Sequence, residues 1–381
     1  MISSTLPQTT HFNQKSVGGI PHVAIIGLGA ISSGYGSPDD AAPYCHVGGL
    51  LHTDRVRLLG VADMSAQARN DFAAKWGDPV SRVRIFESSE ALFLSATQDE
   101  PLDIVSVCVR GPYHFTVMRE VLEAAPRNGT RAVFLEKPPT CSLAEMDDLV
   151  SLARAQGVTI TVSYSRHWAP HVLHLEEMVR NGLIGEVRSV VGYCGQLILS
   201  YASHTTDLVR QFALAQTPGH AVSVVARAHY KPSQEDREKP PAGFEAEPHL
   251  DHMAIEFSNG VLGTQIGADG DGGSFYVDVF GDKGRVRAGI YAKPQAWDAE
   301  GKPLDLGTVP DNASVFQVAY EQIADSLQGG PLADCTDDAW HEVNEIGFAA
   351  IESAVDGNMQ RMGRRIELPN THRTRKIWAN G

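Results

Sequence analysis

The sequence predicts an α/β chain in two parts. An N-terminal doubly wound parallel sheet is followed by a C-terminal α+β domain with a large, mostly antiparallel open sheet. Three observations carry this. From Pro21 to Tyr164 short apolar runs alternate with amphipathic helical stretches, the rhythm of parallel βα units. Beyond Tyr164 the apolar runs lengthen, alternate with period two and are punctuated by turn signals such as Asn259-Gly260. At 381 residues the chain also exceeds what one core usually organises. The expected division is a flexible polar arm (1–19), a first domain (20–164), a second domain (165–372) and a C-terminal tail (373–381).

In the first domain, Val23–Gly27 reads as a strand running straight into glycines, and Val56–Ala62 as a second strand closed by Asp63. Helical spacing follows over Ala66–Trp76. Ile104–Val109 is a third apolar strand, Phe115–Ala125 a helix, and Ala132–Leu135 a strand ending in Glu136-Lys137-Pro138. Leu143–Ala155 continues as helix and Thr159–Tyr164 as a β-branched strand. In the second domain, strands are predicted over 187–193, 222–229, 253–257, 261–266, 275–280 and 285–288. Gly281-Asp282-Lys283-Gly284 is a further turn, and helices are predicted over 208–212, 316–327 and 337–356. The Pro- and charge-rich segment 231–248 reads as a surface loop.

A net charge of -14 argues against a nucleic-acid or anionic-membrane surface, both of which need clustered Lys and Arg. No apolar run reaches the roughly 18 residues of a membrane span, and the first 19 residues lack the basic-then-apolar order of a secretory signal. The five cysteines are scattered, without a C-x-x-C, and Cys108 falls inside an apolar run. This predicts a buried structural thiol at Cys108, and the usage fits a reducing cytoplasm better than a disulfide scaffold or a zinc site.

Gly27-Leu28-Gly29-Ala30-Ile31-Ser32 follows the first strand, where glycines permit a tight turn and close approach of backbone to a pyrophosphate. Ser32 stands where a third glycine is usual. Asp63, at the end of the second strand, suits a ribose diol and repels a 2′-phosphate, which favours NAD over NADP. The interval to Asp63 is lengthened by Ser33–Tyr44, read as an insertion beside the nicotinamide. Lys137 lies at a strand C-terminus, the edge that faces the ligand crevice in such sheets. His204 and Asp207, in Ser200–Asp207, share a face if helical.

Together these motifs resemble the glucose-fructose oxidoreductase, inositol dehydrogenase and rhizopine-catabolism (Gfo/Idh/MocA) family. The resemblance runs from Val23 to about Pro369 and includes the turn Asn181-Gly182-Leu183-Ile184-Gly185-Glu186. It implies an N-terminal Rossmann domain for the dinucleotide and an antiparallel sheet that assembles a homodimer or homotetramer. It implies Lys137 and His204 as the catalytic pair, and Arg166 and His167 at the substrate, with Ser200 and Asp207 able to hydrogen-bond hydroxyls. Gly27, Gly29, Ala30, Ile31, Asp63, Arg110, His114, Glu136 and Lys137 would meet the cofactor. Two departures stand out. Ser200 occupies the position, four before the histidine, where the family often has Asp or Asn. Val109-Arg110-Gly111-Pro112-Tyr113-His114 replaces a Thr-Pro-Asn run.

The implied activity is NAD-linked oxidation of a secondary alcohol on a sugar, sugar derivative or cyclitol. An alternative keeps NAD bound and oxidises the sugar transiently, for glycoside cleavage or sugar–sugar oxidoreduction. A third is a non-catalytic sugar or dinucleotide sensor.

Overall fold

The computed structural model describes residues 19–230, 240–267, 274–291, 293–310, 313–355 and 361–379. The expected arm therefore lies, but for Gly19, outside the described residues, as does 231–239 of the expected loop.

The first domain contains β1 (His22–Ile26), α1 (His46–Leu51), β2 (Arg57–Ala62), α2 (Ala66–Trp76), β3 (Arg84–Phe86), α3 (Ser89–Leu94), β4 (Ile104–Val107), α4 (His114–Asn128), β5 (Ala132–Glu136), α5 (Leu143–Gln156) and β6 (Thr159–Ser163). The six strands pair in parallel in the order β3-β2-β1-β4-β5-β6. All residues of β4 and β5 are buried, as expected of central strands covered on both faces. The helices start where serine side chains accept the first free N–H groups: Ser65 takes Ala68 N at 3.3 Å and Ser142 takes Glu145 N at 3.2 Å. α5 ends at Gly157, whose φ of 66° the left-handed cap requires.

The second domain contains α6 (Pro170–Arg180), β7 (Val187–Tyr193), α7 (Ser203–Ala213), β8 (Ala221–His229), β9 (Glu245–Ala246), β10 (His249–Phe257), β11 (Leu262–Ile266), β12 (Tyr276–Gly281), β13 (Gly284–Gly289), β14 (Gln295–Asp298), α8 (Val315–Leu327), α9 (Asp338–Val355), β15 (Ile366–Glu367) and β16 (Ile377–Trp378). Its eight-stranded sheet has the order β14-β13-β12-β7-β11-β10-β8-β15. Every pair is antiparallel except β7 with β11. The predicted fold class is therefore observed. The Asn259-Gly260 turn joins β10 to β11 as expected, whereas β7 separates β11 from β12, so the hairpins are not consecutive in the sheet.

Helix α7, which carries His204, lies close on this sheet because two glycines leave room for it. A Cβ at Gly192 would meet Thr205 Cγ2 at 2.6 Å, and one at Gly263 would meet Val209 Cγ1 at 2.9 Å. Of the expected tail, residues 373–379 are packed rather than trailing: β16 pairs with β9, Ile377 N donates to Cys141 O, and Arg373 pairs with Asp147 and Glu345. All five cysteines are buried and outside any disulfide. No described helix is long and apolar enough to cross a membrane.

Candidate active site

A cleft of ≈ 350 Å³ opens where the ends of β1, β4 and β5 meet the turns at 165–168 and 198–202 and the start of α7. Gly27 makes the first turn with φ 96°; a Cβ there would strike the Cys108 carbonyl and Val109 N at 2.8 Å. At Gly29 a Cβ would meet nothing within 4 Å, and the backbone of Gly29, Ala30 and Ile31 borders the cleft. The open space at Gly29 leaves room for the phosphates of a dinucleotide to approach the loop. The Asp63 carboxylate, half-buried at the end of β2, accepts Leu28 N and Ser65 N, each at 2.7 Å. Each oxygen keeps a lone pair for a hydroxyl donor.

The glycine loop does not run into a regular helix. Residues 30–34 form one wide turn in which Gly34 N reaches back to Gly29 O and Tyr35 N to Ala30 O. Wide turns of this kind recur at functional sites. Trp76 Nε1 donates to Ser33 O at 3.0 Å, and Lys75 Nζ donates to Gly34 O, pinning the turn to α2. The insertion follows, brings Tyr35 and Tyr44 to the cleft, and ends in α1.

Lys137 and His204 both line this cleft. Lys137 Nζ donates to Ser200 O at 2.9 Å and sits 5.3 Å from the Tyr201 ring. Burial pulls its pKa down, opposed by the Glu136 carboxylate and assisted by Arg166. Arg166 places a guanidinium N–H 2.6 Å from His204 Nε2 and stacks 4.2 Å from the Phe275 ring. A guanidinium has no acceptor, so Nε2 carries the lone pair and Nδ1 the proton. Burial, Arg166 and Lys137 hold the His204 pKa well below its ordinary value, so the ring is neutral. Arg110 also borders the cleft.

Glu136 borders the cleft but faces a buried chain: its Oε1 is 3.0 Å from His46 Nε2, His46 Nδ1 is 2.8 Å from Tyr320 Oη, and that oxygen is 2.6 Å from Ser106 Oγ. Burial opposes ionisation of Glu136, but His46 and Lys137 outweigh it and the carboxyl lies below its ordinary range.

Four expected contacts point elsewhere. The His114 ring lies between Pro138 O and Val109 O, at 2.7 and 2.8 Å, and ties two cleft segments together from behind. His167 Nδ1 meets Asp207 Oδ2 at 2.8 Å, with Asp334 on its other nitrogen and Cys335 Sγ beside Asp207. Burial disfavours the imidazolium, yet Cys335, Asp207 and Asp334 hold His167 well above its ordinary pKa as the cation of a buried ion pair. Although His167, Asp207 and Cys335 converge within 4.8 Å, their direct hydrogen bonds close the cluster and none borders the cleft. His204 and Asp207 share a helix, but Asp207 is turned onto His167 and Cys335. The Ser200 hydroxyl is buried against Glu247, and only its carbonyl serves Lys137.

Sequence reasoning missed Tyr44, Ser165, Tyr201, His46 and Glu247. Tyr44 was signalled only by the insertion itself, and Tyr201 lay within Ser200–Asp207 without being singled out. Glu247 stood in a charged segment among several acids, with nothing in its spacing to single it out.

Residues 22–164 match the family described as "Oxidoreductase family, NAD-binding Rossmann fold". The uncharacterized oxidoreductase YrbE of Bacillus subtilis is 26% identical over 145 residues, 36% of this chain and 41% of that protein. The chain thus matches less than half the length of that curated relative. Among solved structures, an oxidoreductase from Agrobacterium radiobacter in complex with NAD+, L-tartaric acid and magnesium superposes with TM-score 0.67 at 14% identity, covering 92% of this chain and 98% of that one. The WlbA dehydrogenase from Bordetella pertussis, in complex with NADH and UDP-GlcNAcA, gives 0.65 at 19%, covering 91% and 98%. At such identities these likenesses speak for the fold.

Proposed function

We propose that this chain, a member of the Gfo/Idh/MocA family of NAD-binding oxidoreductases, moves hydride between a nicotinamide dinucleotide and a secondary hydroxyl of a sugar, sugar derivative or cyclitol. The observation that carries this reading is one cleft bordered by the Gly29–Ile31 backbone, Lys137 and a neutral His204. The cofactor supplies the hydride acceptor. Gly27, Gly29, Ala30 and Ile31 seat its phosphates, and Asp63 binds the ribose diol and favours NAD over NADP. Arg110, Glu136 and Lys137 flank the nicotinamide end.

Lys137 keeps two N–H groups beyond the one on Ser200 O, enough to orient a substrate hydroxyl and steady an alkoxide. His204 Nε2 takes the hydroxyl proton as hydride leaves, the substrate displacing the Arg166 N–H that covers this lone pair. Arg166 then turns to a neighbouring hydroxyl. The WlbA complex, with a sugar nucleotide in a like fold, supports the sugar class. Assembly as a homodimer or homotetramer through the large sheet belongs to the same reading.

The test is absorbance at 340 nm as the protein meets NAD and a panel of sugars, cyclitols, anhydrosugars and glycosides. NADH growth with one class, lost in folded Lys137→Ala and His204→Ala variants, supports the reading; turnover intact in both variants overturns it. Tyr35 and Tyr44 at the cleft favour a second reading in which the cofactor is retained. Silence across the panel with NAD released only on denaturation selects that reading. Dinucleotide binding with no redox change of any kind selects a sensor.

A further inference from the structure

Ser200 leaves the position four before His204 without a carboxylate, yet a carboxylate reaches that hydroxyl from elsewhere in the chain. Glu247 is only 4% exposed. Its Oε1 accepts Leu199 N and Ser200 N, the latter at 2.7 Å, and its Oε2 accepts Ser200 Oγ at 2.6 Å. These donors sit in the second wide turn, 198–202, whose Ser200 carbonyl holds Lys137 Nζ. Ile198 N donates to Pro248 O, so the segment carrying Glu247 is joined to the turn by backbone as well.

We propose that Glu247 is a positioning residue for Lys137: it fixes the turn whose carbonyl holds the amine and adds a second carboxylate, after Glu136, to the amine's surroundings. The inference rests on the proposed function, which makes Lys137 the group that steadies the substrate oxygen. Three donated hydrogen bonds and the nearby ammonium explain how a carboxylate is tolerated at this depth, where an unpaired one would be expelled. Burial still dominates and pushes the Glu247 carboxyl up to about 7, with the Ser200 and Leu199 bonds and Lys137 pulling it back.

The charged and titratable groups around the pair are defined. Lys137 faces Glu247 from the end of β5, and Cys141 from the segment after it. Glu136 and Arg166 act on Lys137, which in turn acts on His204. On the segment of Glu247 itself, Glu245 is paired with Arg375 and His249 stacks on His229.

Reductive methylation with ¹³C-formaldehyde, with Lys137→Arg to assign the resonance, reads the Lys137 titration without substrate or turnover. In Glu247→Gln, still folded and binding NADH as the parent does, the Lys137 pKa is expected to fall by about one unit. Glu247→Asp should retain part of the parental value. An unchanged Lys137 pKa in folded Glu247→Gln overturns the proposal. If that variant does not fold, the parent decides: a second inflection near neutral pH in the Lys137 resonance, from Glu247 ionising beside it, supports the coupling, and a single inflection overturns it. Absence of hydride transfer on every substrate would remove the proposed function and leave this titration readable.

Discussion

At the residue scale the cleft is governed by the contest over His204 Nε2. Arg166 donates to it at 2.6 Å, and its plane is held in place by Phe275 on one side and by Ser165, itself bonded to Tyr44 at 2.8 Å. The guanidinium does two things to the imidazole: it covers the lone pair and, as a like charge, disfavours protonation. Arg166→Met retains an apolar stem against Phe275 and removes both effects. The expected result is a His204 pKa that rises toward its ordinary value, read from the imidazole ¹⁵N shifts. The acid limb of kcat/KM should move to higher pH with it, because a base that protonates earlier is lost earlier as pH falls. An unmoved His204 titration would show that burial and Lys137 set its pKa without Arg166. Loss of Lys137 to Ala is expected to lower kcat by about 10²-fold or more, in the range of a lost group that orients and steadies a developing charge.

Among the elements, α1, the helix that follows the insertion, acts as a structural part. α1 begins at His46, the partner of Glu136, and packs on α8 through Gly49, where a Cβ would meet Gln317 N and Phe316 Cβ at 2.6 Å. Gly49→Ala must therefore push α1 from α8. Overpacking of this kind costs about 1–3 kcal/mol, read as a lower urea midpoint at an unchanged slope. A midpoint shift near zero would mean that α1 can slide without loss. The sheet strands were readable because buried parallel strands are continuous apolar runs, as in Ile104–Val107, and helix α2 because Ser65 and Gly77 mark its ends. The wide turns at 30–34 and 198–202 were not, since their i to i+5 bonds arise from neighbours distant in sequence, Trp76 and Glu247 among them. The same distance hid the true direction of His167 and Asp207: their residue types suit a substrate pocket, and only the fold turns them toward each other. The place of Lys137 in the cleft was legible because strand ends face the crevice in this architecture, and that of His204 through the family resemblance.

Across the whole molecule, ionisable groups tie the two domains to pH as well as to each other. Arg373, from the packed chain end, bridges Asp147 of α5 and Glu345 of α9, and the Asp147 carboxyl is held below its ordinary range by Arg373 and His341 against the pull of partial burial. Glu247 has the opposite sign. Its folded pKa of about 7 lies above the 4.5 of the free side chain, so between those values the folded state holds a proton that the unfolded chain has released. Stability from this group therefore falls as pH rises from about 4.5 to 7 and is level above that. A shift of this size corresponds to roughly 3 kcal/mol across the window. Gln at 247 carries no titrating proton, so the comparison isolates the slope. Relative to the parent, Glu247→Gln should gain about that much stability in urea melts between pH 5 and pH 8, whatever constant offset its altered hydrogen bonds impose. A parallel pair of stability curves would place the Glu247 pKa in the ordinary carboxylate range. It would also mean that the three donors of the 198–202 turn, with Lys137 beyond them, compensate its burial in full.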